Sequence, residues 1–240
     1  MNFEKTFKSV CSVLAGLIVF MLAAGMYLQF KGFVSDGKGG FVLVKEAQAA
    51  REQNTQALVL PKGRILGKAS APVTLYEYSS FGCYHCADFH LSVLPKLKET
   101  YIDKGLLKVV FVPFPLDKKS MHAAVVSNCL PENKYYDFVD LLFKKQREWS
   151  FSSDYEDVIE QYASLNGISR ENLKQCLKNE QKNYNEIMNV RGDAIELLGI
   201  KGTPSFLIVK EKDREIIHGL PNYKKLTQML DERLGLVQKK

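Results

Sequence analysis

The stretch SSFGCYHCADFH, Ser79 to His90, sets two cysteines three positions apart with a tyrosine and a histidine between them. Two thiols at that spacing can ligate a metal, close a structural staple, or exchange a disulfide with another molecule. Zinc takes four ligands, usually two cysteine pairs or one pair with two histidines. This chain has no second CxxC, and His90, His122 and His218 fall on different elements. A bridge across two intervening residues removes little unfolded-chain entropy, which disfavours a staple. Exchange chemistry remains. At the start of a helix, Cys83 would meet unpaired amides and the positive end of the helix dipole, both of which favour a thiolate. His85 can donate a hydrogen bond to that thiolate or place a positive charge beside it. A stabilised thiolate favours the reduced pair and so makes its disulfide a stronger oxidant.

The elements that must position these sulfurs are legible in outline. PVTLYEYSS before the pair reads as a strand, the pair opens a helix running to about Lys104, and LLKVVFVPFPL reads as a second strand, giving a βαβ unit. From about Asp117 to Leu198 the apolar residues keep helical spacing. PSFLIV and REIIHG then read as two short strands before an amphipathic helix, Tyr223 to Leu234. A βαβ half and a ββα half therefore enclose a helical insert. Alternation along the first strand places Glu77 on the face of Val73 and Leu75, where a buried acid of raised pKa would pass protons to a departing thiolate. Thr203-Pro204, just before a strand, offers either an ordinary trans turn proline or a cis bond that turns a free backbone edge toward the sulfurs.

The chain has 240 residues, is 46% apolar and 25% charged, and so has material for a packed core. Its formal charge of +6 is spread along the sequence without a basic run, which argues against a nucleic-acid partner. Behind Lys5 and Lys8 lies an uncharged, apolar segment from Ser9 to Phe30. As a helix it would span about 33 Å, enough for a bilayer core, and it exceeds the apolar region of a cleaved signal. An uncleaved anchor over residues 1–31 is favoured over a signal peptide; on either reading the rest of the chain leaves the cytosol. Residues 32–60 read as a tether: KGFVSDGKGG as a flexible loop, and VKEAQAAREQNTQALV as a spacer able to form a helix that joins copies of the protein.

In combination, the strand before GCYHC, the later GTPSF and the ββα ending resemble the thioredoxin fold. The helical insert, FPL at Phe114 to Leu116 and HAAVVSNC at His122 to Cys129 are similar to the DsbA-like thiol:disulfide oxidoreductases of the bacterial envelope. That resemblance implies an α/β chain in which residues 61–116 and 199–240 build the thioredoxin fold around an inserted helical domain, 117–198. It implies Cys83 as the attacking and attacked sulfur, Cys86 as the resolving one, Pro204 as a cis-proline and Glu77 as the buried acid. Tyr84 stands where many members have proline, and Thr203 where many oxidising members have valine; threonine there is familiar from isomerase relatives. The resemblance implies periplasmic action on exported proteins with free cysteines, no cofactor, and a quinone-linked membrane reoxidant of the DsbB kind. An isomerase or reductase kept reduced by a membrane partner, and a non-catalytic protein holding a soft metal on its thiols, are the alternatives. Cys129 and Cys176 lie within the insert. In an oxidising compartment they form either a structural bridge, as similar pairs do in this family, or two buried free thiols.

Overall fold

A computed structural model describes residues 33–35, 41–43 and 60–237, which fall into two units. In the first, β1 (Phe33–Ser35) pairs antiparallel with β2 (Phe41–Leu43). Part of the stretch expected to be a flexible loop is therefore extended, because Phe, Val and Leu favour a pleated backbone even when glycines separate them. The expected anchor at 9–30 and the spacer helix of 44–59 lie outside the described residues.

The second unit is built on a five-stranded sheet in the order β3-β5-β4-β6-β7. Its strands are β3 (Ile65–Leu66), β4 (Val73–Ser79), β5 (Leu107–Pro113), β6 (Ser205–Lys210) and β7 (Asp213–His218). β4 runs parallel to β5, with Glu77 opposite Phe111, and antiparallel to β6, with Glu77 opposite Phe206. β3 and β7 pair antiparallel at the two edges. A helical run over 84–102, here α1, makes the crossover from β4 to β5, and α8 (Tyr223–Leu234) closes the chain. Both pack on one face of the sheet, where Val73, Leu75, Phe89, Leu97, Phe206 and Leu226 are buried together. The other face buries Tyr78, Val112 and Leu207 with Ala194.

α1 is not uniform. It begins as α-helix at Tyr84–Asp88, widens to a π-turn at Phe89–Val93, resumes at Leu94–Leu97 and widens again at Lys98–Ile102. Pro95 has no N–H to give the carbonyl one turn earlier, and the first π-turn lies just before it. Such a turn re-aims the side chains it carries, and it carries His90.

Between β5 and β6 stand α2 (Lys118–Asn128), α3 (Tyr135–Lys144), α4 (Gln146–Ser150), α5 (Tyr155–Leu165), α6 (Arg170–Leu177) and α7 (Glu180–Leu198). They bury a core of their own around Phe138, Leu142, Trp149 and Ile159, and that core is continuous with Phe81, Cys86 and Phe111 of the sheet unit. Polar contacts of Tyr136 and Arg64 help to tie insert to sheet. The Tyr136 hydroxyl accepts from the Phe111 amide at 3.1 Å and faces the carbonyls of Arg64 and Val109 at 2.8 and 2.9 Å. Arg64 reaches the Ser127 and Asn128 carbonyls and lies over the Tyr135 ring. Cys129 and Cys176 are joined by a disulfide with their Cα atoms 5.9 Å apart, linking the end of α2 to α6.

Candidate active site

Cys83 is the residue that caps α1: its backbone is extended (φ −82°, ψ 122°) and the next residue is helical. The loop before it is held from the insert side. Asp117 caps α2 by accepting from the Ser120 amide at 2.8 Å, and its other oxygen accepts from the Ser120 hydroxyl at 2.9 Å. That hydroxyl in turn accepts from the Gly82 amide at 2.9 Å. Gly82 must be glycine for this approach, since a Cβ there would lie 2.6 Å from Ser120 Oγ and 2.9 Å from Asp117 Oδ2. From α4, Gln146 Nε2 donates to the carbonyls of Phe81 at 2.6 Å and Cys83 at 3.0 Å. Two elements of the insert, α2 and α4, thus fix the start of α1.

The two thiols are free and differ in environment. Cys83 is partly exposed, and its S–H points at the Thr203 carbonyl, 3.4 Å away. Its pKa falls from the ordinary 9.0 to about 6. The largest cause is the hydrogen bond from the Cys86 thiol, which partial burial opposes; the Thr203 side chain and the amides of Cys86 and His85 add to the lowering. The Thr203 hydroxyl is otherwise buried without a partner, so it is free to donate to a thiolate. Cys86 is fully buried, and its pKa is pushed far upward, first by burial, then by the neighbouring Cys83 sulfur, with the Glu77 charge acting in the same direction. One sulfur is therefore prepared to be an anion at neutral pH and the other to be a thiol.

The Thr203-Pro204 peptide is cis. With Ser205, His218 and Lys201 it lines a groove of about 440 Å³. The Pro204 carbonyl accepts from Gly219 at 2.9 Å, which leaves Thr203 as the residue facing the sulfur. Tyr84 is 61% exposed beside the pair. His85 departs from the expectation: its imidazole is turned outward to Asp88, 3.8 Å away, and its effect on Cys83 comes through its backbone amide. On the first turn of a helix the side chain three positions on is a neighbour, and Asp88 takes the ring.

Glu77 is completely buried on the face shared with Val73 and Leu75. One carboxylate oxygen meets His90 Nε2 at 3.0 Å, and the other makes no hydrogen bond. The second ring nitrogen of His90 meets Asp140 Oδ1 at 2.8 Å. Burial works against a charged His90, but Glu77 and Asp140 outweigh it and hold its pKa up at about 9. His90, Asp140, Gln146 and Ser120 were not singled out from the sequence. A histidine one turn beyond Cys86 on the same helix was the available signal for the first; the other three depend on tertiary contacts.

A family-wide sequence profile described as thioredoxin matches residues 60–232. The chain belongs to the thioredoxin family. The thioredoxin fold with a helical insertion, expected above, is the one observed. Within this fold the chain is similar to alpha-DsbA1 of Wolbachia pipientis, at 32% identity and a TM-score of 0.68, with 76% of this chain and 96% of that one covered. It is 32% identical over 145 residues to a provisionally named protein-disulfide oxidoreductase of Rickettsia typhi, covering 60% of this chain. It is 27% identical over 178 residues to disulfide bond formation protein D of Bacillus subtilis, covering 71% of this chain and 76% of that protein. The chain spans about half the length, 53%, of the rickettsial relative it matches.

Proposed function

We propose that the protein is a thiol:disulfide oxidoreductase that works chiefly as an oxidase, forming disulfides in exported proteins through Cys83 and Cys86. The observation that carries this reading is the asymmetry of the pair: a partly exposed Cys83 with a pKa of about 6 beside a buried Cys86 whose pKa is raised. A substrate thiolate attacks Cys83, the bond to Cys86 breaks, and Cys86 leaves with the electron pair and takes up a proton. A second substrate thiolate then attacks the substrate sulfur of the mixed disulfide and expels Cys83 as a thiolate, a good leaving group at a pKa of about 6. The groove at Thr203 and Pro204 is where the substrate backbone would lie. The similarity to alpha-DsbA1 and disulfide bond formation protein D supports the reading. Periplasmic location, an anchor at residues 9–30 and a quinone-linked membrane reoxidant of the DsbB kind complete it.

The second reading, an isomerase or reductase, is favoured by Thr203. Its hydroxyl can serve the same thiolate, and a membrane reductant would then keep the pair reduced. Trapping separates roles within the pair: Cys83→Ser should abolish exchange, whereas Cys86→Ser should accumulate mixed disulfides with reduced substrate proteins. Equal accumulation on both variants would contradict the assigned roles. Greater repair of scrambled than of reduced substrates, by an oligomeric full chain, would select the isomerase.

A further inference from the structure

Cys86 is fully buried, yet every cycle of the proposed reaction must deliver a proton to it and later remove one. We propose that Asp140, His90 and Glu77 form the route by which that proton passes between solvent and Cys86. The inference rests on the oxidoreductase reading above and adds to it a pathway that runs out of the site through the helical insert.

The geometry is continuous from solvent as far as Glu77. The Asp140 side chain, on α3, is 55% exposed and in contact with water; His90 and Glu77 behind it are wholly buried. Asp140 Oδ1 lies 2.8 Å from His90 Nδ1, and His90 Nε2 lies 3.0 Å from Glu77 Oε2. Glu77 Oε1 is buried without a hydrogen bond, and the Glu77 charge acts on Cys86. The imidazole therefore bridges an exposed carboxylate and a buried one through its two nitrogens. That is the arrangement in which a ring gives a proton at one nitrogen and regains one at the other. The ring is held in place: it stacks on Phe143 with centroids 4.3 Å apart and meets Phe111 and Phe89 edge-on. The groups around it are accounted for by element. Glu77 faces it from β4, apolar Phe111 from β5, and Asp140 and Phe143 from α3. Cys86 lies one turn earlier on α1, and the Tyr135 and Tyr136 hydroxyls, with Arg64 over the Tyr135 ring, lie within reach of the Glu77 charge.

The balance closes. When the substrate thiolate forms its bond to Cys83 Sγ, the Cys83–Cys86 bond breaks and its electron pair goes to Cys86 Sγ. His90 Nε2 passes a proton by way of Glu77 to that sulfur, the remaining ring proton shifts from Nδ1 to Nε2 as the neutral imidazole changes tautomer, and Nδ1 then takes one from solvent by way of Asp140. Completion of the substrate disulfide oxidises two substrate thiols, reduces the protein pair by two electrons and leaves Cys83 as a thiolate. The proton on Cys86 returns along the same path when the pair is reoxidised. His90 and Asp140 touch neither substrate nor sulfur, so they are positioning residues that act through Glu77.

The test uses the full chain in single turnover, oxidised protein against excess reduced glutathione, with acid-quenched alkylation to follow release of Cys86. Asp140→Asn changes an exposed side chain and keeps the Glu77–His90 contact. It should slow Cys86 release about tenfold at pH 7, raise the solvent deuterium isotope effect, and recover on raising the imidazole buffer concentration, with the equilibrium potential unchanged. His90→Gln should slow release further and resist buffer rescue; if it does not fold, Asp140→Asn decides alone. The relay is overturned if Asp140→Asn matches wild type in rate, isotope effect and buffer dependence, or if a shifted potential accounts for its whole change in rate. If wild type itself fails to exchange with glutathione, the oxidoreductase reading falls, an outcome distinct from loss of the relay alone.

Discussion

Removing the Cys86 thiol should raise the Cys83 pKa, because the hydrogen bond from Cys86 is the largest cause of its fall from 9.0 to about 6. The contrast is greatest in acid. At pH 5 a thiol of pKa 6 is about 9% thiolate and one of pKa 9 about 0.01%, a ratio of about 900. Nucleophilicity falls with basicity at a Brønsted slope of about 0.45, so three units of acidity give back about 20-fold. The remainder, about 40-fold, is the ceiling on how much faster the native Cys83 attacks a small symmetrical disulfide at pH 5. Cys83 is partly exposed and water replaces some of any lost hydrogen bond, so Cys86→Ala should slow the attack by about 5- to 40-fold. Cys86→Ser keeps a donor and should retain most of the native rate. The assay is the pH dependence of mixed-disulfide formation, read by mass after acid quench. Cys86→Ala titrating near pH 6 like wild type would refute the hydrogen-bond explanation; a wild-type midpoint near pH 9 would refute the thiolate itself.

The other expectations are local. Gly82→Ala forces a Cβ to within 2.6 Å of Ser120 Oγ, so it should destabilise by about 1–3 kcal/mol in urea unfolding and slow exchange by displacing Cys83. Gln146→Ala removes the side-chain donor from the Phe81 carbonyl and one of two donors from the Cys83 carbonyl, which keeps the Ala87 amide, and should cost about 1–3 kcal/mol in the same measurement. Replacing Cys129 and Cys176 together by serine opens a loop with a sequence separation of 47 and should lower stability by about 4 kcal/mol on the chain-entropy account. The two titrating groups act in opposite senses. His90, raised to about 9, stabilises the fold fully below pH 6.5 and loses that contribution as pH rises through 9, in both redox forms. Cys83, lowered to about 6, stabilises only the reduced form, fully above pH 9 and no longer once pH falls through 6. The reduced-minus-oxidised difference in Tm should therefore increase from pH 5 to pH 9; a flat difference contradicts the Cys83 assignment.

The parts of the fold that could be read from the sequence are those whose side-chain period is set by one buried face. The alternation along β4 placed Glu77 with Val73 and Leu75, and helical spacing marked α8 at Tyr223–Leu234. β3 has two residues, too few to show any period, and its place at the sheet edge follows from pairing with β5. In the site, Cys83 and Cys86 could be found because both sulfurs lie on one local motif. Thr203 comes to 3.4 Å from Cys83 across 120 positions, and only the β6 pairing brings it there. His90 invites a search for metal ligands, and that search misses it because its partners are carboxylates on β4 and α3. His85 misled in the other direction: chain proximity placed its ring between the sulfurs, whereas the helix turns it to Asp88.

The reduction potential of the pair tests the central claim most directly. The purified protein from Leu60 onward, equilibrated with glutathione at pH 7 and read by alkylation of Cys83 and Cys86, should lie in the range of roughly −120 to −200 mV, between a strong oxidant and a disulfide isomerase. A value near −270 mV, that of thioredoxin, would mean that the Cys83 thiolate does not make the disulfide oxidising, and the pair would then serve as a reductant.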